Sequence, residues 1–294
     1  MSSRRSYFGA VGALLSGVVG SQFGAALGAS LIPLIGPFAA VSLRQIVASV
    51  VLLAVARPRL RQRSLVQLRP AILLGVVMAV MNTCVYLAIA HLGLGLAITL
   101  EFVGPLALTL IASRRALDVL AAVAAGAGVV LVTGVLGSGS VTPDLLGICF
   151  ALGGAAAWAG YILLNRRVGR GLPGFEGSAI AATVAAMLCA PVGFLTAQSS
   201  LFDPRVLLFG LIAGLLSSAL PYAVDMFVLR RIPARIYGLV ASLNPVAAVL
   251  SGLIILGETL AWSQVAGVVL VTVASAVALG RGAREVAPDL LETP

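Results

Sequence analysis

Apolar runs of about twenty residues, each closed by arginine, glycine or proline, follow one another along almost the whole chain. They place membrane helices over Phe8 to Leu31, Phe38 to Ala56, Ala71 to Ala90, Gly93 to Ala112 and Ala116 to Leu136. A second set covers Leu145 to Leu164, Phe175 to Ala197, Val206 to Leu229, Ile236 to Leu256 and Ala261 to Gly280. A helix rises 1.5 Å per residue, so about 20 residues cross about 30 Å of hydrocarbon. The pattern predicts an all-α membrane protein with ten transmembrane helices. The first run, preceded by Arg4 and Arg5, has the outline of a signal peptide, but further spans follow at once and it reads as a retained first helix.

Composition agrees. Of 294 residues 60% are hydrophobic and 10% charged, and a mean hydropathy of +1.11 lies far from any soluble domain. The net charge of +9 would suggest nucleic acid in a soluble chain; here it reports orientation, and no nucleic-acid partner is expected. Every basic residue is arginine. With alternate connections assigned to one side, seventeen of the nineteen fall together: Arg4, Arg5, Arg57, Arg59, Arg61, Arg63, Arg69, Arg114, Arg115, Arg166, Arg167, Arg170, Arg230, Arg231, Arg235, Arg281 and Arg284. Arg205 lies opposite and Arg44 inside a span. The positive-inside rule then makes both termini cytoplasmic, in a multi-pass protein of the inner (cytoplasmic) membrane.

The halves repeat. Residues 127–133 and 266–272 both read AGVVLVT, and Gly104-Pro105 has a counterpart in Asn244-Pro245 at a similar separation. Five spans is an odd number, so the second half enters from the opposite side. Residues 1–140 and 141–280 are therefore expected to form two inverted repeats, with 281–294 a cytoplasmic tail; this is the architecture of carriers with a midplane site.

The chain interrupts its own pattern in ITLEFVGPLALTLIASRR, residues 98–115. Glu101 falls mid-span, where an acid costs roughly 2.5 to 3.5 kcal/mol on insertion scales. Pro105 cannot donate to the carbonyl of Glu101, so a carbonyl and a carboxylate are left together at depth. Such a place lines a pathway. The other polar groups at depth are Gln22, Asn82, Tyr86, Trp158, Tyr161, Tyr222, Ser242 and Asn244, each either an interhelical hydrogen-bonder or a pathway residue, the aromatics being suited to wall a cavity or stack on an ammonium. For Arg44 and Glu101 two readings stand: a structural ion pair, or an acid open to the cavity that meets a proton or a substrate ammonium. Asp225 is read either as paired with Arg230 or Arg231 or as part of the pathway. Glu258 is expected to complement the N-terminus of the last helix. A row of small residues, Gly12, Ser16, Gly20, Gly24 and Gly28, marks close helix packing or a sliding surface.

Enzyme chemistry finds no foothold. His91 is the only histidine, no phosphate-binding loop occurs, and Cys84, Cys149 and Cys189 have no ligand spacing and are expected as free, buried thiols. Neither a metal nor a cofactor is expected.

Taken together, LEFVGPL (100–106), SRR (113–115), AAAWAGYI (155–162), LSSALPYAVDM (216–226), RIPAR (231–235), LGETL (256–260) and Arg44 in SLRQ make the chain resemble the drug/metabolite transporter superfamily, built from two five-helix EamA-type repeats. It is most similar to the threonine/homoserine exporter branch. The resemblance runs to about Arg281 and implies export of an amino acid or similar small zwitterion through the bilayer by alternating access; separately, the deep carboxylate of Glu101 makes protons a candidate coupling ion. Its alternatives are a broad-range drug or metabolite exporter and a non-transporting scaffold or enzyme. One departure matters: such proteins commonly carry Glu-Pro in the ninth span, and here Asn244 precedes Pro245. Glu101 is left as the single acid near mid-depth, and the expected pathway is Glu101, Gln22, Arg44, Asn82, Tyr86, Gly104, Pro105, Trp158, Tyr161, Tyr222, Asp225, Ser242, Asn244 and Pro245.

Overall fold

The computed structural model describes residues 2–58, 63–111, 116–133, 144–197, 199–221 and 239–282. Those residues form helices and no strands. In chain order they are α1 (Ser2–Ala29), α2 (Ile32–Ile35), α3 (Pro37–Ala56), α4 (Leu65–Leu92), α5 (Leu94–Glu101), α6 (Val103–Ile111), α7 (Ala116–Thr133), α8 (Leu145–Gly171) and α9 (Glu176–Thr196). A 3₁₀ turn at Ser199–Phe202 leads into α10 (Pro204–Gly214), which runs into a π-helical turn at Leu215–Ala219. After the next gap come α11 (Asn244–Ser251), a second π turn (Gly252–Leu256) and α12 (Trp262–Gly282). Seven of these segments are long and apolar enough to cross a membrane by length and composition, and three shorter apolar helices cover Leu94–Leu108, Val119–Thr133 and Pro204–Ala219.

Local chemistry sets the ends. Ser64 and Gln67 close a reciprocal capping box on α4, satisfying amides that a helix start leaves open. Asp144 accepts from Gly147 N–H at 2.9 Å to start α8, and Asp203 followed by Pro204 starts α10. Gly93, at φ +81°, turns the chain from α4 into α5.

The largest packed faces join α4 to α8, α3 to α9 and α7 to α12, with α4 also against α9. Smaller ones join α1 to α10 and α11, α3 to α10, and α5 to α8 and α11. At the α7/α12 face the two AGVVLVT segments meet each other. A Cβ built on Gly128 would lie 2.9 Å from the Gly267 carbonyl oxygen and 2.8 Å from Val271 Cγ2. One built on Gly267 would lie 2.6 Å from the Gly128 carbonyl oxygen and 2.8 Å from Val132 Cγ2. Gly128 corresponds to Gly267 and Val132 to Val271, so the contact is reciprocal.

The small-residue row on α1 packs closely over its later positions only. A Cβ at Gly12 would meet nothing within 4 Å, whereas one at Gly24 would lie 2.8 Å from Ser217 N. The cysteines are free, but only Cys189 is buried; Cys84 is half-buried and Cys149 exposed. The expectation of three buried thiols is corrected there, because an apolar run in a membrane helix has a lipid-facing side as well as a packed one.

Candidate functional site

The fourth apolar run breaks where it was expected to. α5 ends at Glu101, Phe102 forms a turn, and α6 starts at Val103 with Pro105 in its first turn. Gly104 serves the packing at this break: a Cβ there would collide with the Ala155 backbone of α8. Phe102, fully buried, stands edge-on to Trp158 at 5.2 Å between ring centroids. The ninth run breaks in the same way, with Ser242 and Leu243 in a turn and Asn244-Pro245 opening α11.

Glu101 is 7% exposed and Arg44 6%. No hydrogen bond or ion pair links them, so the structural-pair reading is not what the structure shows. Nor does Arg44 reach for the membrane surface. Its guanidinium stacks on the Tyr86 ring at 4.7 Å, and Nη2 donates to Ser218 Oγ at 3.2 Å and to the Ser217 carbonyl at 3.4 Å. Ser217 and Ser218 both lie in the π turn, where the i to i+5 pattern replaces the regular α-helical ladder. Arg44 Nε is buried with no partner. Tyr86 is 1% exposed and donates to the Ala25 carbonyl at 3.4 Å. Tyr86 and Arg44 together fill the space left by Gly28.

Along α1 from this cluster, Gln22 Nε2 donates to Asn244 Oδ1 at 2.8 Å, while Gln22 Oε1 is buried without a partner. Asn244 therefore ties the second broken helix to the first span. Asn244 Nδ2 donates to the Ala241 carbonyl, spanning the break in its own run. Asn82 and Ser242, both buried, are occupied by backbone carbonyls of their own helices, Met78 and Leu239. Pro245 is buried, and Trp158 and Tyr161 are half-buried on α8. Tyr222 and Asp225 lie outside the described residues.

Some polar contacts carried too little sequence signal to be singled out. Ser217 and Ser218 stand inside LSSALP, where a serine pair in an apolar run was the available hint. Gln45, beside Arg44, is 1% exposed with neither amide atom partnered. Ser42 donates to the Cys189 carbonyl at 2.7 Å, and Ser49 and Thr183 share a hydrogen bond at 3.0 Å, making a polar seam between α3 and α9.

Three ties join the ends of helices. At one face His91 Nδ1 lies 2.8 Å from Asp144 Oδ2, joining the end of α4 to the start of α8. At that same face Glu258 accepts from Leu94 and Gly95 N–H. Glu258 thus caps α5 and not the last helix, a correction that follows from the loop folding back over the first half. At the other face Arg63 pairs with Glu176 at 3.2 Å. Asp144 is held below the usual aspartate range, chiefly by the Gly147 amide and then by His91. Among the described residues no group of three His, Cys, Asp or Glu could hold a metal.

Comparison with known proteins places this arrangement. Residues 145–280 match the EamA-like transporter family. The chain is 38% identical over 247 residues to the threonine/homoserine exporter RhtA of Escherichia coli strain K12, covering 84% of this chain and 83% of that one. It is 36% identical over 262 residues to the protein of that name in Salmonella typhimurium strain SL1344, covering 89% and 88%. An uncharacterized transporter, YwfM of Bacillus subtilis strain 168, is 29% identical over 133 residues, 45% of each chain. A crystal structure of 20% sequence identity superposes with a TM-score of 0.64, covering 92% of this chain and 98% of that one.

Proposed function

Because the chain belongs to the EamA-like transporter family of the drug/metabolite transporter superfamily, we propose that it exports an amino acid or similar small zwitterion, of the threonine/homoserine kind, across the cytoplasmic membrane. Export proceeds by alternating access of two inverted five-span halves, residues 1–140 and 141–280, with both termini and the tail at 281–294 in the cytoplasm. Packing supports the repeat. A rotation exchanging each of the first five apolar runs with the run five places later turns the α4/α8 contact into α10/α1, α4/α9 into α10/α3, and α5/α8 into α11/α1. It maps α3/α9, α5/α11 and α7/α12 onto themselves, as the reciprocal Gly128 and Gly267 contact requires.

The observation that carries the substrate reading is that Arg44 and Glu101 are both buried and do not pair with each other. Stranding one buried charge costs about 3 to 5 kcal/mol. A zwitterion meets both needs, its carboxylate reaching the guanidinium and its ammonium the Glu101 carboxylate, with the broken ends of α5 and α11 and the Gln22–Asn244 pair alongside. Tyr86 holds the guanidinium in place. Glu101 is also the candidate proton carrier.

The test is counterflow in proteoliposomes with labelled amino acids, with and without a pH gradient. Wild type should exchange threonine or homoserine selectively. Arg44→Gln should raise KM by about ten-fold or more, the size expected for a lost charge-assisted contact. Glu101→Gln should abolish the gradient response and, because the ammonium loses its carboxylate, raise KM for the exchange that remains. Preference for a dicarboxylate or an uncharged lipid would overturn the zwitterion site. Folded protein that transports no amino acid points to the broad-range exporter instead.

A further inference from the structure

At the far end of the two-turn helix that carries Glu101, an acid from the second half of the chain is bound to its first amides. Glu258 Oε1 accepts from Leu94 N–H at 2.6 Å and Oε2 from Gly95 N–H at 3.2 Å. A helix start leaves these donors without intrahelical partners and presents its positive dipole end there. One carboxylate satisfies both, from 163 and 164 residues further along.

The surroundings are shaped to the carboxylate. A Cβ on Gly93 would stand 2.9 Å from Oε1, and one on Gly252 would collide with Oε2. The Glu258 N–H donates to the Gly252 carbonyl at 3.1 Å, and Gly257, at φ +68°, reverses the chain so that the side chain points back over the first half. Just inside the tie, α5 and α11 touch closely: a Cβ on Gly95 would lie 3.3 Å from Val249 Cα. The adjacent halves of the two broken helices are thus packed together with the Glu258 tie above them. His91 and Asp144 bind other helices at this face and do not act on α5.

We infer that Glu258 is a positioning residue for transport, a latch from the last interhelical turn that holds α5 against α11 and closes the pathway at the exterior face. α5 is eight residues long, about 12 Å, and Glu101 is its last residue. Release of the latch frees α5 to swing away from α11 and moves Glu101 with it. The inference rests on the transport reading above.

The test uses full-length protein with Cys84, Cys149 and Cys189 replaced by alanine and Ala97→Cys added on the buried face of α5. An impermeant maleimide is applied to the exterior face of oriented vesicles, and counterflow is measured on the same preparations. Relative to its parent, Glu258→Ala should raise the labelling rate about ten-fold or more, in keeping with loss of a charge-assisted contact. Glu258→Asp, one methylene too short to reach both amides, should also raise it, and Glu258→Gln, which keeps one acceptor, should fall between. The maximal counterflow rate should drop with little change in KM. Equal labelling rates in the parent and all three variants would overturn the latch. If Glu258→Ala does not fold, Glu258→Gln and Glu258→Asp carry the comparison. Altered labelling in protein that transports nothing, the parent included, would support the latch and count against the export reading alone.

Discussion

A methyl group at position 28 has nowhere to go. It would run into Tyr86 Oη and stand 3.2 Å from Arg44 Cδ, displacing the pair that the substrate reading depends on. Gly28→Ala is therefore expected to destabilise by about 1 to 3 kcal/mol, the usual cost of overpacking, and to weaken transport, whereas Gly12→Ala, with open space around it, should do neither. Thermal unfolding of purified protein in detergent checks the contrast; equal shifts for both would show that the Tyr86 cluster yields freely. The same glycines looked alike in the sequence, since a four-residue spacing marks a face without saying what lies against it. Glu101 and Arg44 were legible because a buried charge is rare in a membrane span. Their partners were not: that Arg44 rests on Tyr86, Ser217 and Ser218 follows from which helices are neighbours, and no spacing along one helix records that.

At the scale of elements, the ends of helices divide into those capped locally and those capped from afar. α8 belongs to both classes, because Asp144 caps it and also receives His91. Its folded pKa lies below the usual value, first through the Gly147 amide and then through His91. A depressed carboxylate contributes stability above its unfolded pKa, about 3.9 for aspartate, and that contribution disappears as pH falls through the lower folded value. Asp144→Asn keeps an N-cap but cannot titrate, so its melting temperature should show a shallower acid limb than wild type. Parallel profiles down to about pH 3 would show that the depressed carboxylate does not contribute. The break between α5 and α6 was readable from Pro105 in the chain itself. By contrast the cap on α5 is not readable there: sequence order puts Glu258 at the helix that follows it, and only the fold of its turn carries it back to Leu94.

For the whole molecule the informative surface is the one between α7 and α12. Because Gly128 and Gly267 each face the other's backbone, Gly128→Ala and Gly267→Ala should each cost about 1 to 3 kcal/mol, and the double variant should depart from additivity, as touching sites do. Additive losses in thermal unfolding would argue that the two segments relax independently. The chain by itself determined that the protein is helical and membrane-embedded, where its fourth and ninth apolar runs break, and that seven residues recur. Hydropathy, proline and identity are properties of a segment and need no neighbours to be read. Only the tertiary structure decided that the recurring segments pack on each other, that Arg44 and Glu101 are both buried and not paired with one another, and that Glu258 reaches across to α5. Each of these is a relation between segments tens to hundreds of residues apart, set by how helices share faces in space, and a lipid-solvated helix carries the same apolar residues whichever neighbour it meets.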